Sequence, residues 1–392
     1  MADDVRQEIL GGLKRVVIKI GSSVISRKEG EKGKSVYRLD EERVRHFARQ
    51  VKKIARTGRE VVLVSSGAIM AGRDRLGLGG AHLTVPEKQA CAAIGQSYLI
   101  HAYEKKFKAQ GLKVAQMLLS SDDLGNRRRY LNAKHTIEAL LEYGVIPIIN
   151  ENDSVTVDEI KIGDNDTLSA TVACLMDAGL LVILSDVEGL FSRDPTRRTK
   201  NSPPPELIPL VNRVTADIEK LAGKSGSQVT VGGMLTKVLA AKKTMSFGIP
   251  TLLVSGRDDS VLEKVAAGET VGTLFWSGRG RIRDRKHWIA HTLKVMGRLM
   301  VDAGAVRALV EGGKSLLPAG VLKVEGLFEF GNAVSVVDES SREIARGLVN
   351  YNTDDLESIK GLKTSEVRKL VGNNFYEEVV HRDDLVIIEN DD

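Results

Sequence analysis

The chain has few of the residues that cross-link a fold or bind structural metals. It contains two cysteines in 392 residues, Cys91 and Cys174, and both lie in apolar, helix-like contexts. This count excludes a disulfide framework and favours a reducing compartment. The seven histidines are scattered, without the HxxxH or CxxC spacing typical of a structural zinc site.

Long apolar runs and export signals are also missing. No segment approaches the roughly 20 uninterrupted apolar residues of a membrane span, and the start, MADDVRQEIL, lacks the basic and apolar regions of a signal peptide. Hydrophobic residues make up 42% and charged residues 28% of the chain, as in ordinary globular proteins. We therefore expect a cytoplasmic enzyme with no membrane partner, long enough for two domains.

Aromatic residues are scarce, at 4%, and the net charge of +5 is modest. Such a charge favours small anionic ligands without demanding nucleic acid. One dense basic run, Arg279 to Lys286, fits a solvated linker or an RNA contact. RNA recognition normally adds stacking aromatic residues, and near this run only Phe275, Trp276 and Trp288 stand out. The composition disfavours RNA binding by the C-terminal part but leaves it open.

Up to about residue 276, short apolar strands alternate with helical patterns. The segments RVVIKI, EVVLVS, KVAQMLL, VIPIIN, LLVILSD and PTLLVS are near-continuous apolar runs, typical of buried parallel strands. Amphipathic stretches such as LDEERVRHFARQVKKIA and NAKHTIEALLEYG lie between them. This alternation predicts an α/β fold, with a mostly parallel central sheet covered by helices on both faces.

After the basic run the sequence changes to short strands, tight turns and few helices. A change of this kind across a charged, glycine-bearing segment indicates a domain boundary. We predict a first domain at residues 1–278, a basic linker at 279–295 and a small, mostly-β domain at 296–384.

Two clusters of carboxylates and amides follow one buried strand. The run Val145 to Ile149 stops at Asn150-Glu151-Asn152-Asp153, and Gly163-Asp164-Asn165-Asp166 then leads into a helical pattern. Asp and Asn also cap helices and build turns, so each cluster alone has a structural explanation. Buried carboxylates are nevertheless costly unless a cation meets them, and ligands of open α/β sheets bind beyond the carboxyl ends of the strands. The clusters indicate an active site with Mg²⁺, lysines or a substrate ammonium as the cation.

A lysine and two glycine turns could hold an anion. Lys19 ends the apolar strand VVIKI, and Gly21-Ser22-Ser23 follows, where the backbone can approach a phosphate. An edge-strand lysine reaching water is the alternative. Ser66-Gly67 opens a helix whose first amides suit a carboxylate or phosphate, although a serine N-cap also explains it.

A third glycine turn resembles a phosphate-binding turn in which a lysine provides a point charge. It is formed by Gly232-Gly233-Met234-Leu235-Thr236-Lys237. It is not a Walker A loop. The GKS triplets at Lys34 and Lys314 lack the required first glycine. Together the turns and lysines indicate phosphoryl transfer without a covalent enzyme intermediate, in which lysines, amides and Mg²⁺ neutralise the transferring group and aspartates hold the cations.

The motifs VVIKIGSSV, VSSGAIMAGR, INENDSV, KIGDNDTLSA, LSDVEGLF and GGMLTK resemble those of the amino-acid kinase family, in the same order. The likeness runs from about Leu13 to His381, and GKSLLPAGV resembles a PUA domain. The resemblance implies the amino-acid kinase fold and ATP-dependent phosphorylation of the L-glutamate γ-carboxylate, the first step of proline biosynthesis. Mg²⁺ would arrive on the ATP phosphates, with no metal site of the protein's own.

The resemblance also implies residue roles. Lys19 and Lys237 would stabilise the transferring phosphoryl group, Asp164 would orient the lysines, and Asp166 would lie in the same charged cluster. The implied glutamate-binding residues are Ser66, Gly67, Asn150, Asp153 and Asn165. The implied nucleotide-binding residues are Lys19, Gly21, Ser22, Ser185, Asp186, Val231, Gly232, Gly233, Met234, Leu235, Thr236 and Lys237.

The resemblance further implies feedback inhibition by proline, a homo-oligomer and coupling to the next enzyme of the pathway, because an acyl phosphate is readily lost to water. Val231 replaces a threonine of many relatives, which removes a hydroxyl contact to the nucleotide. The segment Arg27 to Tyr37 is predicted as a mobile surface loop, with a phosphate lid as the alternative. A related kinase acting on aspartate, acetylglutamate, carbamate or UMP is the other interpretation of the fold.

Overall fold

The structure is a computed structural model that describes residues 2–29, 36–79, 83–120, 123–124, 127–155, 164–193, 195, 204–223, 233–278, 295–371 and 376–388. The chain divides into two compact units, the first made of Met1–Asp123 and Tyr130–Arg281, the second of Leu124–Arg129 and Ile282–Asp392. The predicted linker, residues 279–295, lies almost wholly outside the described residues, so the boundaries at 278 and 296 stay predictions. Among the described helices, none has the length and apolar character needed to cross a membrane.

The first unit is built on a central sheet that contains all six predicted strands. Its strands and those of a small hairpin are β1 (Arg15–Ile20), β2 (Ser26–Glu29), β3 (Val36–Leu39), β4 (Glu60–Ser65), β5 (Lys113–Leu119), β6 (Val145–Glu151), β7 (Leu180–Ser185), β8 (Leu210–Val211), β9 (Thr251–Ser255) and β10 (Thr273–Phe275). The eight-stranded sheet has the order β5-β6-β4-β1-β7-β9-β10-β8. Its pairs are parallel except β9–β10, as predicted for a mostly parallel sheet.

The helices of this unit follow the predicted alternation. They are α1 (Ala2–Gly11), α2 (Glu41–Ala55), α3 (Ala68–Arg75), α4 (Val85–Lys108), α5 (Arg127–Glu142), α6 (Asp164–Leu175), α7 (Ala216–Gly223), α8 (Met234–Ser246) and α9 (Val261–Ala267). Every residue of β7 is buried, as are all but the first residue of β1. Because side chains alternate between the two faces of a sheet, both faces are covered there. Ligands of such sheets bind beyond the carboxyl ends of the strands.

The predicted surface loop from Arg27 to Tyr37 is partly wrong. Residues 27–29 lie in β2 and residues 36–37 in β3, and the two strands pair antiparallel. The Glu29 carboxylate lies 2.8 Å from Arg27 Nε and 3.1 Å from Arg38 Nε, so ion pairs support the hairpin. Strands this short and polar carry little apolar alternation, which is why the sequence pattern indicated a loop. Residues 30–35, the centre of the segment, lie outside the described residues.

The second unit is strand-rich and has its own core, as predicted. Its elements are β11 (Val295–Val301), α10 (Ala303–Val310), β12 (Val321–Gly326), β13 (Ala333–Val337), β14 (Glu343–Val349), α11 (Thr353–Ile359), α12 (Thr364–Val371) and β15 (Val380–Ile387). The strands form a sheet of order β12-β11-β13-β14-β15. Leu299, Val334, Val336, Leu356 and Val380 are among the residues of a separate apolar cluster.

Candidate active site

Three charged side chains from three separate elements meet at the carboxyl edge of the central sheet. Lys19 comes from the end of β1, Asp166 from the first turn of α6 and Lys237 from the first turn of α8. Lys19 Nζ lies 2.6 Å from Asp166 Oδ1, and Lys237 Nζ lies 3.2 Å from Asp166 Oδ2. All three residues are buried. One carboxylate thus holds two ammonium groups that lie far apart in the sequence.

The protonation of this cluster is set by burial and mutual charge. Burial by itself would raise the pKa of Asp166, but the positive charges of Lys19 and Lys237, with hydrogen bonds from Lys19 and Thr236, lower that pKa to about 2. Burial and the charge of Lys19 lower the pKa of Lys237, whereas Asp166 opposes this shift. At neutral pH, Asp166 is therefore an anion that positions the lysines and has no proton to donate.

Thr236 provides a third donor to the carboxylate. Its Oγ1 lies 2.6 Å from Asp166 Oδ2 and 2.8 Å from the carbonyl oxygen of Gly233. A hydroxyl has one proton, and the charged oxygen is the stronger acceptor. Since α8 begins at Met234, Thr236 and Lys237 are both in the first turn, which brings them together to Asp166. The sequence resemblance assigned Thr236 to the nucleotide; the structure shows it in contact with Asp166.

We expect Thr236→Val to weaken the fold and shift its acid unfolding to higher pH. A depressed pKa of Asp166 stabilises the folded state above the unfolded-state pKa of about 3.9, and this stabilisation is lost as pH falls through the folded-state pKa. Loss of the hydroxyl raises the folded-state pKa, so the loss begins at higher pH, and the free energy of unfolding at neutral pH falls by about 2 kcal/mol. Acid titration followed by circular dichroism measures the shift.

The matched control is Thr236→Ser, which keeps the hydroxyl and removes one methyl group. Its acid midpoint should stay close to that of the parent protein. Equal midpoints for the valine and serine variants would show that the hydroxyl does not hold Asp166.

Gly21 leaves room beside the Lys19 ammonium. Its N–H donates to the carbonyl oxygen of Leu184 at 3.3 Å, which ties the turn after β1 to β7. A Cβ at this position would lie 3.3 Å from that carbonyl oxygen and 3.7 Å from Lys19 Nζ. A short 3₁₀ turn, Ser22–Val24, follows. A glycine here keeps the approach to the ammonium open, as a phosphate-binding turn requires.

Ser185 ends the neighbouring strand β7, and Asp186 follows it. Ser185 is buried and its Oγ donates to Asp186 Oδ1 at 3.2 Å. Burial lowers the pKa of Lys237, and the negative charge of Asp186 opposes this shift, so this carboxylate acts on the same cluster. The structure thus brings the residues predicted after β1, β7 and in α8 to one place.

On the other side of β1, the turn after β4 carries Ser66 and Gly67. The Ser66 N–H donates to the carbonyl oxygen of Ile20 at 3.1 Å, which holds this turn against the end of β1. Gly67 is the N-cap of α3, with φ of 112°, so the predicted alternative of a serine N-cap is wrong. The left-handed backbone at this position favours glycine.

The remaining predicted substrate residues lie beyond β6 and in α6. Asn150 is buried, and its Nδ2 donates to Gln96 Oε1 at 2.8 Å while its Oδ1 accepts from the N–H of Glu151 at 2.9 Å. Asp153 lies half-buried in the turn after β6. The Oδ1 of Asn165 is buried and has no hydrogen-bond partner within the described part of the chain. Asn165 thus offers an acceptor, whereas the Asn150 amide is engaged in the scaffold.

Three predicted residues cannot be placed in full. The side chain of Asp164, and the whole of Val231 and Gly232, lie outside the described residues. Both lysines contact Asp166, and the orienting role of Asp164 stays a prediction.

Two sequence profiles match the chain, that of the amino acid kinase family over residues 14–255 and that of the PUA domain over residues 297–371. The chain belongs to the amino acid kinase family. Its relatives in this family include proteins named glutamate 5-kinase. That of Geobacter sulfurreducens is 49% identical over 98% of this chain and 100% of the relative. That of Thermoanaerobacter pseudethanolicus is 47% identical over 96% of this chain and 98% of the relative.

The predicted resemblance to the amino-acid kinase family and the predicted PUA domain are therefore confirmed, and the chain is a kinase. Among solved structures, a UMP kinase from Bacillus anthracis has a TM-score of 0.45 and 17% identity, over 69% of this chain and 99% of that one.

Two residues that support the site of this family member were not predicted. Gln96 of α4 holds Asn150, and Tyr103 of the same helix shares a buried hydrogen bond of 2.9 Å with Ser65 Oγ, directly before Ser66. Neither has a local motif. They act through tertiary contacts, so a single sequence provides no signal for them.

A resident metal site does not fit the described residues. No group of three or more His, Cys, Asp or Glu side chains among them is placed to hold a metal ion. Asp166 directs one oxygen to Lys19 and the other to Thr236 and Lys237, so its carboxylate is already engaged.

Proposed function

We propose that the chain is a glutamate 5-kinase, which transfers the γ-phosphoryl group of ATP to the γ-carboxylate of L-glutamate and so begins proline biosynthesis. The observation that carries the proposal is the pair of buried ammonium groups, Lys19 and Lys237, held by Asp166 beside the Gly21 turn. The named relatives, which match nearly the whole chain, support this substrate over aspartate, acetylglutamate, carbamate or UMP.

The reaction places charge where the two lysines lie. In phosphoryl transfer, negative charge is spread over the oxygens of the transferring group, and fixed cations stabilise it. Lys19 and Lys237 approach Asp166 from a strand and a helix, so their ammonium groups would meet the phosphoryl oxygens from two sides. Asp166 holds both in place before the substrates arrive, which reduces the cost of reorganisation.

No general base is required for this acceptor. The side-chain carboxyl of glutamate has a pKa of about 4.3, so at neutral pH it is already an anionic nucleophile. This agrees with the low pKa of Asp166, which could not take a proton at neutral pH. The site promotes the reaction by positioning the substrates, neutralising charge and excluding water.

The substrates would lie on opposite sides of β1. Glutamate would bind toward Ser66, Gly67, Asp153 and Asn165, with its ammonium group near the Asp153 carboxylate and the free Oδ1 of Asn165. The amides that begin α3 suit its α-carboxylate. The nucleotide would bind toward Gly21, Ser22, Ser185 and Asp186, together with residues 231–237.

Mg²⁺ would be held mainly by the phosphates of ATP and water, with few ligands from the protein. It would add positive charge at the phosphoryl group. Inhibition by proline, a homo-oligomeric state and coupling to the next enzyme remain predictions from the resemblance. A cytoplasmic location remains a prediction from the composition.

The test of the proposed function is ADP release with Mg·ATP and, in turn, L-glutamate, L-aspartate, N-acetyl-L-glutamate, carbamate and UMP, with hydroxylamine present to trap an acyl phosphate. We expect ADP release that depends on glutamate, with γ-glutamyl hydroxamate as the trapped product. Turnover of another acceptor in place of glutamate would contradict the substrate assignment. No ADP release with any of these acceptors, by folded protein, would reject the proposed function. It would favour the RNA-binding alternative, which a binding titration at low and moderate salt then tests.

We expect Asp153→Ala to raise the glutamate KM about 10- to 100-fold, the loss that follows removal of a hydrogen bond between charged groups. The ATP KM should change little, because Asp153 follows β6 while the nucleotide residues follow β1 and β7. Steady-state kinetics with each substrate varied in turn measures both values. Ser154→Ala, at the exposed neighbouring position, is the control. An unchanged glutamate KM in Asp153→Ala would remove this residue from the pocket.

A further inference from the structure

Arg43, on α2, reaches two loops at the carboxyl edge of the central sheet. Its Nε donates to the carbonyl oxygen of Val24 at 3.4 Å, and one terminal nitrogen donates to the carbonyl oxygen of Gly256. The other terminal nitrogen pairs with the Asp259 carboxylate. Val24 ends the turn that follows β1, and Gly256 follows β9. One guanidinium thus bridges two loops that are distant in the sequence.

The start of α2 is fixed to the same loop. The Asp40 side chain accepts hydrogen bonds from the N–H groups of Glu42 and Arg43, at 3.0 and 3.2 Å, and caps the helix. The Asp40 N–H donates to the carbonyl oxygen of Ile25 at 2.8 Å. The Arg43 guanidinium also lies 5.3 Å from the centre of the Phe47 ring, one turn further along α2. Arg43 is therefore held at its backbone by Asp40 and at its guanidinium by Phe47, and its direction is set.

The two loops flank the end of β7, which carries Ser185. The Gly256 N–H donates to the carbonyl oxygen of Ser185 at 2.7 Å, and the Gly21 N–H donates to that of Leu184 at 3.3 Å. A Cβ on Gly256 would lie 2.5 Å from Val24 Cγ1, so the two loops are already in close contact. The turn after β1, the end of β7 and the loop after β9 form one packed block, with Arg43 along its outer side.

The carbonyl groups that Arg43 binds lie in turns, where no strand partner can satisfy them. A planar guanidinium offers five donors in a fixed arrangement and can bind several acceptors at once. A lysine at this position could approach the same carbonyl oxygens only as a single point charge. The choice of arginine therefore suits a clamp on two backbone loops.

We propose that Arg43 is a positioning residue for the nucleotide site. It holds the turn from Gly21 to Val24 against the ends of β7 and β9, so that the backbone beside Lys19 keeps its place for the phosphates of the nucleotide. The inference rests on the proposed function, which assigns Gly21 and Ser22 to the nucleotide. Arg43 acts through the loops, and in the structure its guanidinium contacts backbone carbonyl groups, Asp259 and Phe47.

The test compares Arg43→Met and Arg43→Lys with the parent enzyme in two assays. Calorimetric titration with Mg·ADP measures nucleotide affinity without glutamate, and the hydroxamate assay gives kcat and both KM values. We expect Arg43→Met to raise the ADP Kd and the ATP KM about tenfold, as loss of one or two net hydrogen bonds predicts. The glutamate KM should stay within about twofold, since the affected loops follow β1 and β9. The ADP Kd and ATP KM of Arg43→Lys should lie between those of the parent enzyme and those of Arg43→Met.

Two control variants separate the clamp from general effects on α2. Arg45→Met removes an exposed arginine of the same helix that pairs with Glu42. Asp259→Asn removes the ion pair but leaves both carbonyl contacts of Arg43. Both variants should bind Mg·ADP with the Kd of the parent enzyme. Thermal unfolding of each variant checks that it is folded.

An unchanged ADP Kd in folded Arg43→Met would overturn the proposal, as would an equal rise in the KM values of both substrates. If the methionine variant does not fold, Arg43→Lys decides by the same criteria. A parent enzyme that binds no Mg·ADP and forms no hydroxamate would instead contradict the proposed function, so the two failures are distinct.

Discussion

Replacement of Lys237 by alanine is expected to lower kcat by about 10²- to 10³-fold, the usual cost of removing one preorganised charge from a transition state. Lys237 is buried, lies 3.2 Å from Asp166 and shares that carboxylate with Lys19. Its ammonium group balances charge that develops on the transferring phosphoryl group, so the loss should appear in kcat more than in the KM of either substrate. Steady-state formation of γ-glutamyl hydroxamate measures it.

The fold should survive this substitution. Removing one partner of a buried ion pair usually costs about 3–5 kcal/mol, but Asp166 keeps Lys19 at 2.6 Å and Thr236 at 2.6 Å. Burial lowers the pKa of Lys237, which means that the charged lysine is itself costly to bury. These effects offset each other, and we expect the free energy of unfolding to change by about 1–2 kcal/mol.

Lys242→Ala is the matched control, because Lys242 lies on the same helix with an exposed side chain that pairs with Glu219 at 2.7 Å. Its kcat should equal that of the parent enzyme. Lys237→Arg keeps the charge but changes the position of the donors, and should recover part of the loss. Turnover of Lys237→Ala within about tenfold of the parent enzyme would contradict a transition-state role for this lysine.

The sequence was sufficient to predict the parallel strands and the elements that carry the two lysines, because buried strands and glycine turns have local signatures. It was not sufficient to predict the contact between Asp166 and both lysines. That contact depends on how α6 and α8 meet the end of β1, which no local pattern reports.

Other features of the structure were not predicted from the sequence, for related reasons. The inward face of α4 includes Cys91, Ala92 and Gly95, small residues that give little amphipathic signal. The hairpin β2–β3 is polar and four residues long on each side. The clamp of Arg43 depends on carbonyl groups that only the folded chain brings near it. Local patterns report periodicity and turns, whereas these features arise from how the elements meet.

Gly95→Ala is expected to lower the free energy of unfolding by about 3 kcal/mol, at the upper end of the usual range for overpacking. A Cβ on Gly95 would lie 1.8 Å from the carbonyl oxygen of Ala68 and 2.4 Å from the nitrogen of Gly72. These are backbone atoms of α3, which cannot move aside as a flexible side chain can. The two helices must separate by more than an ångström to admit one methyl group.

The separation should also reach the substrate side of the site. Ala68 is the first residue of α3 and directly follows Ser66 and Gly67, so a shift of α3 moves the turn proposed to bind glutamate. We therefore expect a raised glutamate KM together with the lower stability. Gly72→Ala provides an independent check, because its Cβ would lie 1.8 Å from the carbonyl oxygen of Cys91 across the same helix pair.

Gly12→Ala is the control for the methyl group itself, since a Cβ at Gly12 would meet no atom within 4 Å. Chemical denaturation gives the free energies of unfolding of the three variants, and kinetics gives the glutamate KM. Parent-like stability of Gly95→Ala would show that α3 and α4 can separate freely. Lower stability with an unchanged glutamate KM would show instead that α3 can move without displacing Ser66 and Gly67.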